Sequence, residues 1–355
     1  MTAAILIAGL LALAGWMAYR RRGAPHLPSG GEPASAGAPS GPPIDGARVR
    51  MASDLATQRL WRVAFGAPSH APSEAVPLPP VHARVRELIC AVLQVDTLDP
   101  KYFPRRPALL PQLMQAVNDP NAAPDKLSRM IAHDPVLTAD VLRLANSSLY
   151  RVSPAPIETI KRAIVVCGVD SLRGILAAAM LQPVFRATRT NFPRLPRMLW
   201  DRTERAARAA ELYAAKRYPQ DRFEAQLVVL LSALGPLVVY SAALDGYSRA
   251  PRLTPNPALF VDLIDTLGPQ MSQRIARDWQ CSPRLVAALE KSNEDSLATA
   301  LQVGELLGTL SLLESQTIIA RDERRGILEH SGLPDDLAEG LWQRLTAGAQ
   351  DRAPA

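Results

Sequence analysis

Two adjacent residues, His133 and Asp134, could ligate a divalent metal. A vicinal His-Asp pair on a helix has this role in phosphohydrolases. A metal site needs three or four converging ligands, and the other four histidines, at positions 26, 70, 82 and 330, are scattered along the chain. Asp134 is followed by Pro135, a sequence typical of a helix N-cap and a first-turn proline. We therefore favour a structural role for the pair.

Other catalytic motifs are absent from the sequence. It contains no GxxxxGK[ST] or GxGxxG phosphate loop, no HExxH helix and no GxSxG nucleophile turn. The three cysteines, Cys90, Cys167 and Cys281, are far apart in apolar contexts and form no CxxC, which indicates buried free thiols in a reducing compartment. The sequence thus predicts no catalytic residue, no metal and no cofactor, and we expect that the protein is not an enzyme.

Seven arginines lie within residues 184–208, where only Asp201 and Glu204 oppose them. Such a basic patch could bind an anionic nucleotide, an acidic partner or a membrane surface, although a solvated loop and helix face is the interpretation that we favour. The candidate basic surface consists of Arg186, Arg189, Arg194, Arg197, Arg202 and Arg205.

The overall charge argues against nucleic-acid binding. The chain of 355 residues has 40 Lys+Arg and 34 Asp+Glu, a net charge of +6. Residues 1–80 carry 7 basic and 4 acidic groups, which leaves 33 against 30, or +3, for the remaining residues. A body with so small an excess has no evident stripe of positive charge for neutralising phosphates.

The N-terminus has the pattern of a membrane anchor. Residues 1–19 carry no charge, and as a helix they would span roughly 26 to 28 Å, close to the thickness of a hydrocarbon core. Three arginines, at positions 20, 21 and 22, follow the apolar stretch, whereas a cleaved signal peptide has its basic residues before it. We therefore expect one uncleaved transmembrane helix in the inner membrane, with the body in the cytoplasm.

A tether separates this anchor from the body. Between positions 23 and 47, 20 of 25 residues are Gly, Pro, Ala or Ser, a composition that does not form a packed core. An amphipathic stretch follows at 48–65, which is either a basic helix on an anionic leaflet or, as we favour, a helix packed on the body. We expect an anchor at 1–22, a tether at 23–80, a helical domain at 81–315 and a C-terminal helical extension and tail at 316–355.

The body has helical periodicity nearly everywhere after position 81, and period-2 segments bounded by hairpin turns are absent. The fold class predicted from this pattern is all-α, a multi-helical bundle. The clearest helical runs cover residues 135–149, 171–182, 197–218, 223–244, 283–291, 296–313 and 335–346.

Roughly 200 residues, from position 106 to 310, resemble the HDOD family, the HD-related output domain of bacterial signalling proteins. An Asp-Pro-x-Leu-Thr helix that ends in Ala-Asn-Ser and an Ile-x-x-Ala-Ile-x-x-x-Gly helix pair carry the resemblance. We expect architectural roles for these residues, in helix ends and in a tight link at the glycine. The matching positions are Asp134, Pro135, Leu137, Thr138, Leu144, Ala145, Asn146 and Ser147, then Ile160, Ala163, Ile164 and Gly168.

The resemblance also implies where metal ligands of the wider HD phosphohydrolase superfamily would lie. Arg202 stands at the position of the first histidine, and Ser232 and Ala233 replace the His-Asp pair. A later histidine pair is replaced by Ser292 and Asn293, and the final aspartate aligns with Glu305. Since a guanidinium and a methyl group cannot ligate a cation, we expect a vestigial metal site.

A non-catalytic HDOD-like signal-transduction or scaffold module at the inner membrane is the function that the resemblance and the anchor predict. It would act by protein-protein interaction with a signalling partner whose identity the sequence does not specify. Two alternatives remain open, a sensor of an anionic cyclic nucleotide and a residual metal-dependent phosphohydrolase that uses other ligands.

Overall fold

Helical structure runs through almost all of the chain that the structure describes. The structure, a computed structural model, describes residues 44–66, 79–95, 99, 101–102, 104–117, 124–132, 134–151, 155–185, 192–290 and 295–350. Within these residues it contains fifteen α-helices, two short 3₁₀ helices and no β-strand. The prediction of an all-α fold is confirmed. The predicted membrane anchor and most of the predicted tether, at 1–43 and 67–78, lie outside the described residues.

The helices are numbered in chain order. The first seven are α1 (Gly46–Ala64), α2 (Pro80–Leu93), α3 (Leu110–Val117), α4 (Pro124–Ala132), α5 (Pro135–Ala145), α6 (Ile160–Cys167) and α7 (Val169–Leu181). The next five are α8 (Arg194–Arg217), α9 (Arg222–Ser232), α10 (Leu234–Ser248), α11 (Pro257–Asp278) and α12 (Pro283–Ala288). The last three are α13 (Ser296–Ser315), α14 (Arg321–Glu329) and α15 (Asp335–Gln350).

Helices α8 and α13 approach each other closely because small residues meet between them. A Cβ atom on Gly304 would lie 2.6 Å from the carbonyl oxygen of Ala206, and one on Gly308 would lie 2.4 Å from the amide nitrogen of Ala206. A side chain at either glycine would therefore push the helices apart. This close pair places Arg202, one turn before Ala206, opposite Glu305.

One helix break differs from the sequence prediction. The pattern predicts a single helix over 223–244, whereas the structure has α9 and α10, which meet at Ala233. Pro236 has no N–H that could donate to the carbonyl oxygen of Ser232. The hydroxyl of Ser272, on α11, donates to that oxygen at 2.8 Å instead. The proline thus ends α9, and the freed carbonyl joins α11 to the break.

The motif residues at the start of α5 have the architectural roles that their types indicate. The carboxylate of Asp134 accepts hydrogen bonds from the backbone N–H groups of Val136 at 2.9 Å and Leu137 at 3.1 Å. Pro135 occupies the first turn, where its missing N–H has no intrahelical partner to lose. The hydroxyl of Thr138 donates to the last turn of α4 at 2.9 Å, which fixes the angle between the two helices.

The other motif residues shape the two turns that follow α5. The Asn146 side chain donates to the carbonyl oxygens of Leu142 at 2.9 Å and Ile157 at 2.8 Å, and it accepts from the Ile157 N–H at 2.8 Å. The backbone N–H of Ser147 donates to the carbonyl oxygen of Leu144 at 2.9 Å. Its buried hydroxyl has no hydrogen-bond partner among the described residues. Gly168 joins α6 to α7 with φ 80° and ψ 160°, a positive-φ conformation outside the αL region but equally selective for glycine.

Helix α1 lies within the predicted tether and packs on the body. Val49, Leu60 and Trp61 are at most 2% exposed. The helix contacts α13, α8 and α11. Of the two interpretations of the amphipathic stretch, the structure shows the helix packed on the body.

Two described stretches, Pro219–Ser248 and Ser296–Ser315, are long and apolar enough to cross a membrane. In their most apolar segments, 78% and 89% of the residues are buried inside the fold. They are therefore weak indications of membrane association, because core helices of soluble folds have the same length and composition.

Candidate functional site

Three residues predicted to replace metal ligands lie together in the structure. The Nη2 atom of Arg202, on α8, is 3.2 Å from Oε1 of Glu305, on α13. The hydroxyl of Ser232, at the end of α9, is 3.2 Å from the same oxygen. Ala233 follows directly and is 1% exposed. An ion pair thus occupies the place where the resemblance to HD proteins locates a metal.

Arg202 is buried with polar partners. Its residue exposure is 3%. The Nε atom donates to the hydroxyl of Thr309 at 3.0 Å, and Nη2 is 3.4 Å from the hydroxyl of Thr57, on α1. The guanidinium carbon is 6.0 Å from the ring centre of Trp61, also on α1. A carboxylate, two hydroxyl groups and an aromatic ring therefore stabilise the buried charge.

A cavity of about 180 Å³ borders this ion pair. Helix α1 contributes Asp54 and Trp61 to its wall, α11 contributes Asp265, and the ion pair of Arg202 and Glu305 forms one side. Proline and aliphatic side chains from α10, α11 and α13 form much of the remaining wall. The cavity wall thus combines polar and apolar residues, as the walls of small-molecule sites often do.

The donor set does not fit the metal site of the superfamily. The guanidinium of Arg202 has only hydrogen-bond donors, and Ala233 has no ligand atom. The hydroxyl of Ser232 donates to the carbonyl oxygen of Val229 at 2.8 Å. Among the described residues, no group of three or more His, Cys, Asp or Glu is placed to hold a metal ion. The described residues at this position therefore do not fit the metal of the superfamily.

The predicted basic surface divides into exposed and internal arginines. Arg194 is exposed, and the side chain of Arg197 is 88% exposed. The prediction is wrong for Arg202, because its charge is paired inside the fold. Arg205 is partly buried and donates to the hydroxyl of Ser311 at 2.7 Å. Burial also lowers the pKa of Arg205.

A carboxyl group next to these arginines has a strongly altered pKa. Burial raises the pKa of Glu204 to about 7, against the favourable charges of Arg143 and Arg205. The negative charge of Asp201, one turn earlier on α8, also raises it. Burial raises the pKa of Asp201 itself. Part of the basic stretch therefore surrounds acidic groups instead of presenting charge to a partner.

A second arginine cluster lies at the junction of α9, α12 and α13. Both terminal nitrogens of Arg284 contact the carboxylate of Asp221, at 2.6 and 2.9 Å. Arg284 also contacts Glu224 at 3.0 Å and Asp295 at 3.3 Å, and it donates to the hydroxyl of Ser296 at 2.7 Å. The hydrogen bond to Asp221 is the main cause that raises the pKa of Arg284. These contacts join three helices, which gives the cluster a structural role.

Several predicted residues fall on positions that the structure does not describe. They are His133, Arg186, Arg189, Ser292 and Asn293. Among the cysteines, Cys281 is buried, Cys90 and Cys167 are partly buried, and all three are free thiols. Burial raises the pKa of Cys281 to about 11, which makes its thiol a poor nucleophile at neutral pH.

The contribution of α1 to the site was not predicted from the sequence. Asp54, Thr57, Gln58 and Trp61 all line the cavity. Their spacing of three, four and seven residues places them on one face of a helix. This pattern is visible in the sequence, but it does not show which part of the body the face contacts.

Comparison with known proteins supports the fold. The chain is 17% identical to a proposed metal-dependent phosphohydrolase from Shewanella amazonensis SB2B, with a TM-score of 0.52 over 75% of this chain and 98% of that one. It is 19% identical to an HDOD domain protein of unknown function from Geobacter sulfurreducens, with a TM-score of 0.51 over 76% of this chain and 96% of that one. No curated protein sequence matches the chain.

The family profile described as HDOD domain matches residues 103–294. This range is more than half of the 355 residues and contains the motif helices α5 to α7. Helices α1 and α13, which complete the cavity, lie outside the matched range. The motif helices and the all-α fold agree with this profile match. The chain therefore belongs to the HDOD domain family.

Proposed function

We propose that this protein is a non-catalytic HDOD module for signal transduction or scaffolding, held at the inner membrane by its N-terminal segment. Its body lies in the cytoplasm and acts through protein-protein contacts with a signalling partner. The proposal joins the family membership to the anchor predicted at 1–22.

The single observation that carries the non-catalytic part is the ion pair between Arg202 and Glu305, 3.2 Å apart. The fixed positive charge of a guanidinium repels a divalent cation, and it has no lone pair to offer one. The pair also engages Glu305, the one carboxylate that the resemblance aligns with a metal ligand. The position thus provides hydrogen-bond donors where the superfamily uses metal ligands.

Metal content and turnover of the purified full-length chain test this proposal. We expect no stoichiometric manganese after dialysis against the metal, measured by mass spectrometry, and no hydrolysis of bis-p-nitrophenyl phosphate. Stoichiometric metal together with phosphodiesterase turnover in the unmodified chain would show that the proposal is wrong.

A triple variant provides a positive control for the metal measurement. Arg202→His, Ser232→His and Ala233→Asp together restore three ligands of the superfamily at the positions that the resemblance assigns. We expect manganese retention to rise in this variant above that of the unmodified chain, since imidazole and carboxylate are metal ligands. Equal retention in both chains would mean that these positions do not correspond to the metal site.

Topology and partner need separate measurements. A reporter fused after Ala355 is expected to give a cytoplasmic signal, because the arginines at 20–22 resist translocation. A periplasmic signal would contradict the anchor orientation. Crosslinking in cells from exposed positions on the body, followed by mass spectrometry, would identify the protein that it contacts.

A nucleotide sensor is the second candidate, and the exposed Arg194 and Arg197 are the observation that favours it. It is the weaker of the two, because Arg202 and Arg205 are engaged inside the fold. Calorimetry with cyclic dinucleotides distinguishes the candidates. Heat of binding that disappears in the Arg194→Glu/Arg197→Glu variant would favour the sensor.

A further inference from the structure

An open groove lies between α1 and α14, on the surface of the fold. Its volume is about 940 Å³, much larger than that of the cavity beside Arg202. Met51 and Leu55, on α1, line the groove and are 67% and 66% exposed. The other apolar side chains that line it are those of Ala52, Ala56, Leu313, Ile319 and Ile327. An apolar surface of this kind is typical of a site that another molecule covers.

The two walls of the groove carry opposite charges. The charged lining residues of the two helices are Arg48 and Arg59 on α1 and Glu323 and Glu329 on α14. At one end of the groove, Arg59 and Glu323 form an ion pair within the chain. At the other end, a Cβ atom on Gly332 would lie 3.0 Å from that of Arg48, so the chain just after α14 lies beside Arg48. The basic and the acidic wall therefore run side by side.

This arrangement is self-complementary under a two-fold axis that runs along the groove. Rotation about such an axis turns a second copy face to face with the first and lays the α1 helix of each copy against the α14 helix of the other. The rotation keeps each residue at its position along the groove, so Arg48 of each copy faces Glu329 of the other. Met51 and Leu55 of each copy then enter the groove of the other.

Other occupants fit the groove less well. Anionic lipid attracts basic segments, but here it would meet Glu323 and Glu329 on the acidic wall as well as the arginines. A flat bilayer surface also does not fill a concave groove. A small molecule would leave much of its surface in water in so open a groove, whereas ligand sites bury most of the ligand.

We propose that the groove between α1 and α14 binds a second copy of this chain and forms the interface of a symmetric dimer. The inference goes beyond the proposed function and does not depend on the membrane anchor. Thirteen described residues line the groove, fewer than the about 20 to 30 residues per side of a standard interface. We therefore expect a weak dimer, with a Kd in the micromolar range. Association of this strength depends on the local concentration of the chain, which makes it a way to regulate the module.

Energy transfer between two populations of the purified full-length chain, in a mild detergent, tests the proposal. One population carries a donor fluorescent protein after Ala355, and the other carries an acceptor at the same position. We expect transfer that rises with protein concentration through the micromolar range. Leu55→Asp should weaken the association at least about tenfold, since its carboxylate would be buried in the interface without a partner. Leu88→Asp changes an equally exposed leucine on α2, outside the groove, and should leave the association unchanged.

Charge exchange tests which helices face each other. Arg48→Glu and Glu329→Arg should each weaken self-association about five- to tenfold, because each places like charges opposite one another at two symmetric contacts. A mixture of Arg48→Glu donor chains and Glu329→Arg acceptor chains has opposite charges at both contacts again. Energy transfer in this mixture should return nearly to the level of the unmodified chain. A groove that binds a different molecule predicts no such recovery.

Oxidation of Met51 by peroxide, measured by mass spectrometry, distinguishes the possible occupants. We expect it to slow as the concentration rises and the dimer forms. Slow oxidation at every concentration, without energy transfer, would assign the groove to another segment of the same chain. Slow oxidation of single copies in nanodiscs of anionic lipid, but not of zwitterionic lipid, would assign it to the membrane surface. Either of these two results would overturn the dimer.

Three further results would overturn the inference. They are the absence of energy transfer throughout the micromolar range, equal transfer in the Leu55→Asp chain, and no recovery in the mixture of the two charge variants. The second result would place the dimer contact outside the groove, and the third would contradict the contact of α1 with α14. None of them alters metal content or turnover, so the non-catalytic proposal would stand unaffected.

Discussion

Arg202 and Arg284 are both arginines that join helices, yet their surroundings differ. Arg202 is 3% exposed, whereas the side chain of Arg284 is 36% exposed. Arg284 contacts three carboxylates, of which Asp221 is bound by two nitrogens at 2.6 and 2.9 Å. Arg202 contacts one carboxylate, that of Glu305 at 3.2 Å, together with hydroxyl groups. Arg202 also borders a cavity of about 180 Å³.

The difference lies in what surrounds each guanidinium. At Arg284, Nε, Nη1 and Nη2 all have acidic partners, so the cluster acts as a cross-link between α9, α12 and α13. At Arg202 the partners are fewer and an open space lies alongside. A buried charge beside a cavity leaves space for a ligand next to the ion pair.

The largest effect is expected from Arg284→Met. The substitution leaves the carboxylate of Asp221, whose side chain is 5% exposed, without its cationic partner. Loss of one member of a fully buried pair lowers the free energy of unfolding by about 3 to 5 kcal/mol. Because the Arg284 side chain is 36% exposed, we expect a loss at the lower end of that range, about 3 kcal/mol. Chemical denaturation measures this change, and Arg249→Met, which breaks an exposed pair, is the control with an effect near zero. A loss below about 1 kcal/mol would show that Arg284 does not act as a structural cross-link between the helices.

The next effect concerns Glu204, a partly buried carboxyl group beside the basic stretch. Its pKa is raised from 4.5 to about 7, so the folded state prefers the protonated form. The protonated Glu204 side chain therefore contributes its full stability below about pH 4.5, and this contribution is lost as the pH rises through 7. We expect the free energy of unfolding to fall by about 2 kcal/mol over this range, and Glu204→Gln to abolish that fall.

Denaturation at a series of pH values measures the dependence. Glu329→Gln, at an exposed position, should leave the pH dependence of the unmodified chain intact. An unchanged slope in Glu204→Gln would assign the pH dependence to another group.

A smaller loss of stability is expected from Arg202→Met than from Arg284→Met. The partner of Arg202, Glu305, has a side chain that is 25% exposed next to the cavity, so water can solvate it once the guanidinium is gone. We expect a loss of about 1 to 2 kcal/mol in chemical denaturation. Arg197→Met, on the same helix and exposed, is the control. A loss equal to that of Arg284→Met would mean that both arginines serve the fold alone.

The smallest effect is expected from Thr57→Val, which removes the contact of α1 with Arg202 at 3.4 Å. We expect a loss of about 0.5 kcal/mol, because the hydrogen bond is long. A double-mutant cycle with Arg202→Met measures whether the two effects are coupled. Additive effects would show that this contact does not join α1 to the site.

Local features of the fold were predictable from the sequence because they depend on neighbouring residues. The Asp134-Pro135 start of α5 needs only a capping carboxylate and a proline in the first turn. The break at Ala233 was missed because it needs Ser272, forty residues later, to bond the carbonyl oxygen that Pro236 leaves free. A helical period does not show where a distant hydroxyl group lies.

The sequence by itself determined the helical class, the family resemblance and the absence of metal-ligand types at Arg202 and Ala233, since residue types and periods can be read without coordinates. Only the tertiary structure decided that Arg202 is internal, that it pairs with Glu305, and that α1 completes a cavity beside them. The physical reason is that burial and pairing depend on the approach of α8 to α13, which Gly304 and Gly308 permit.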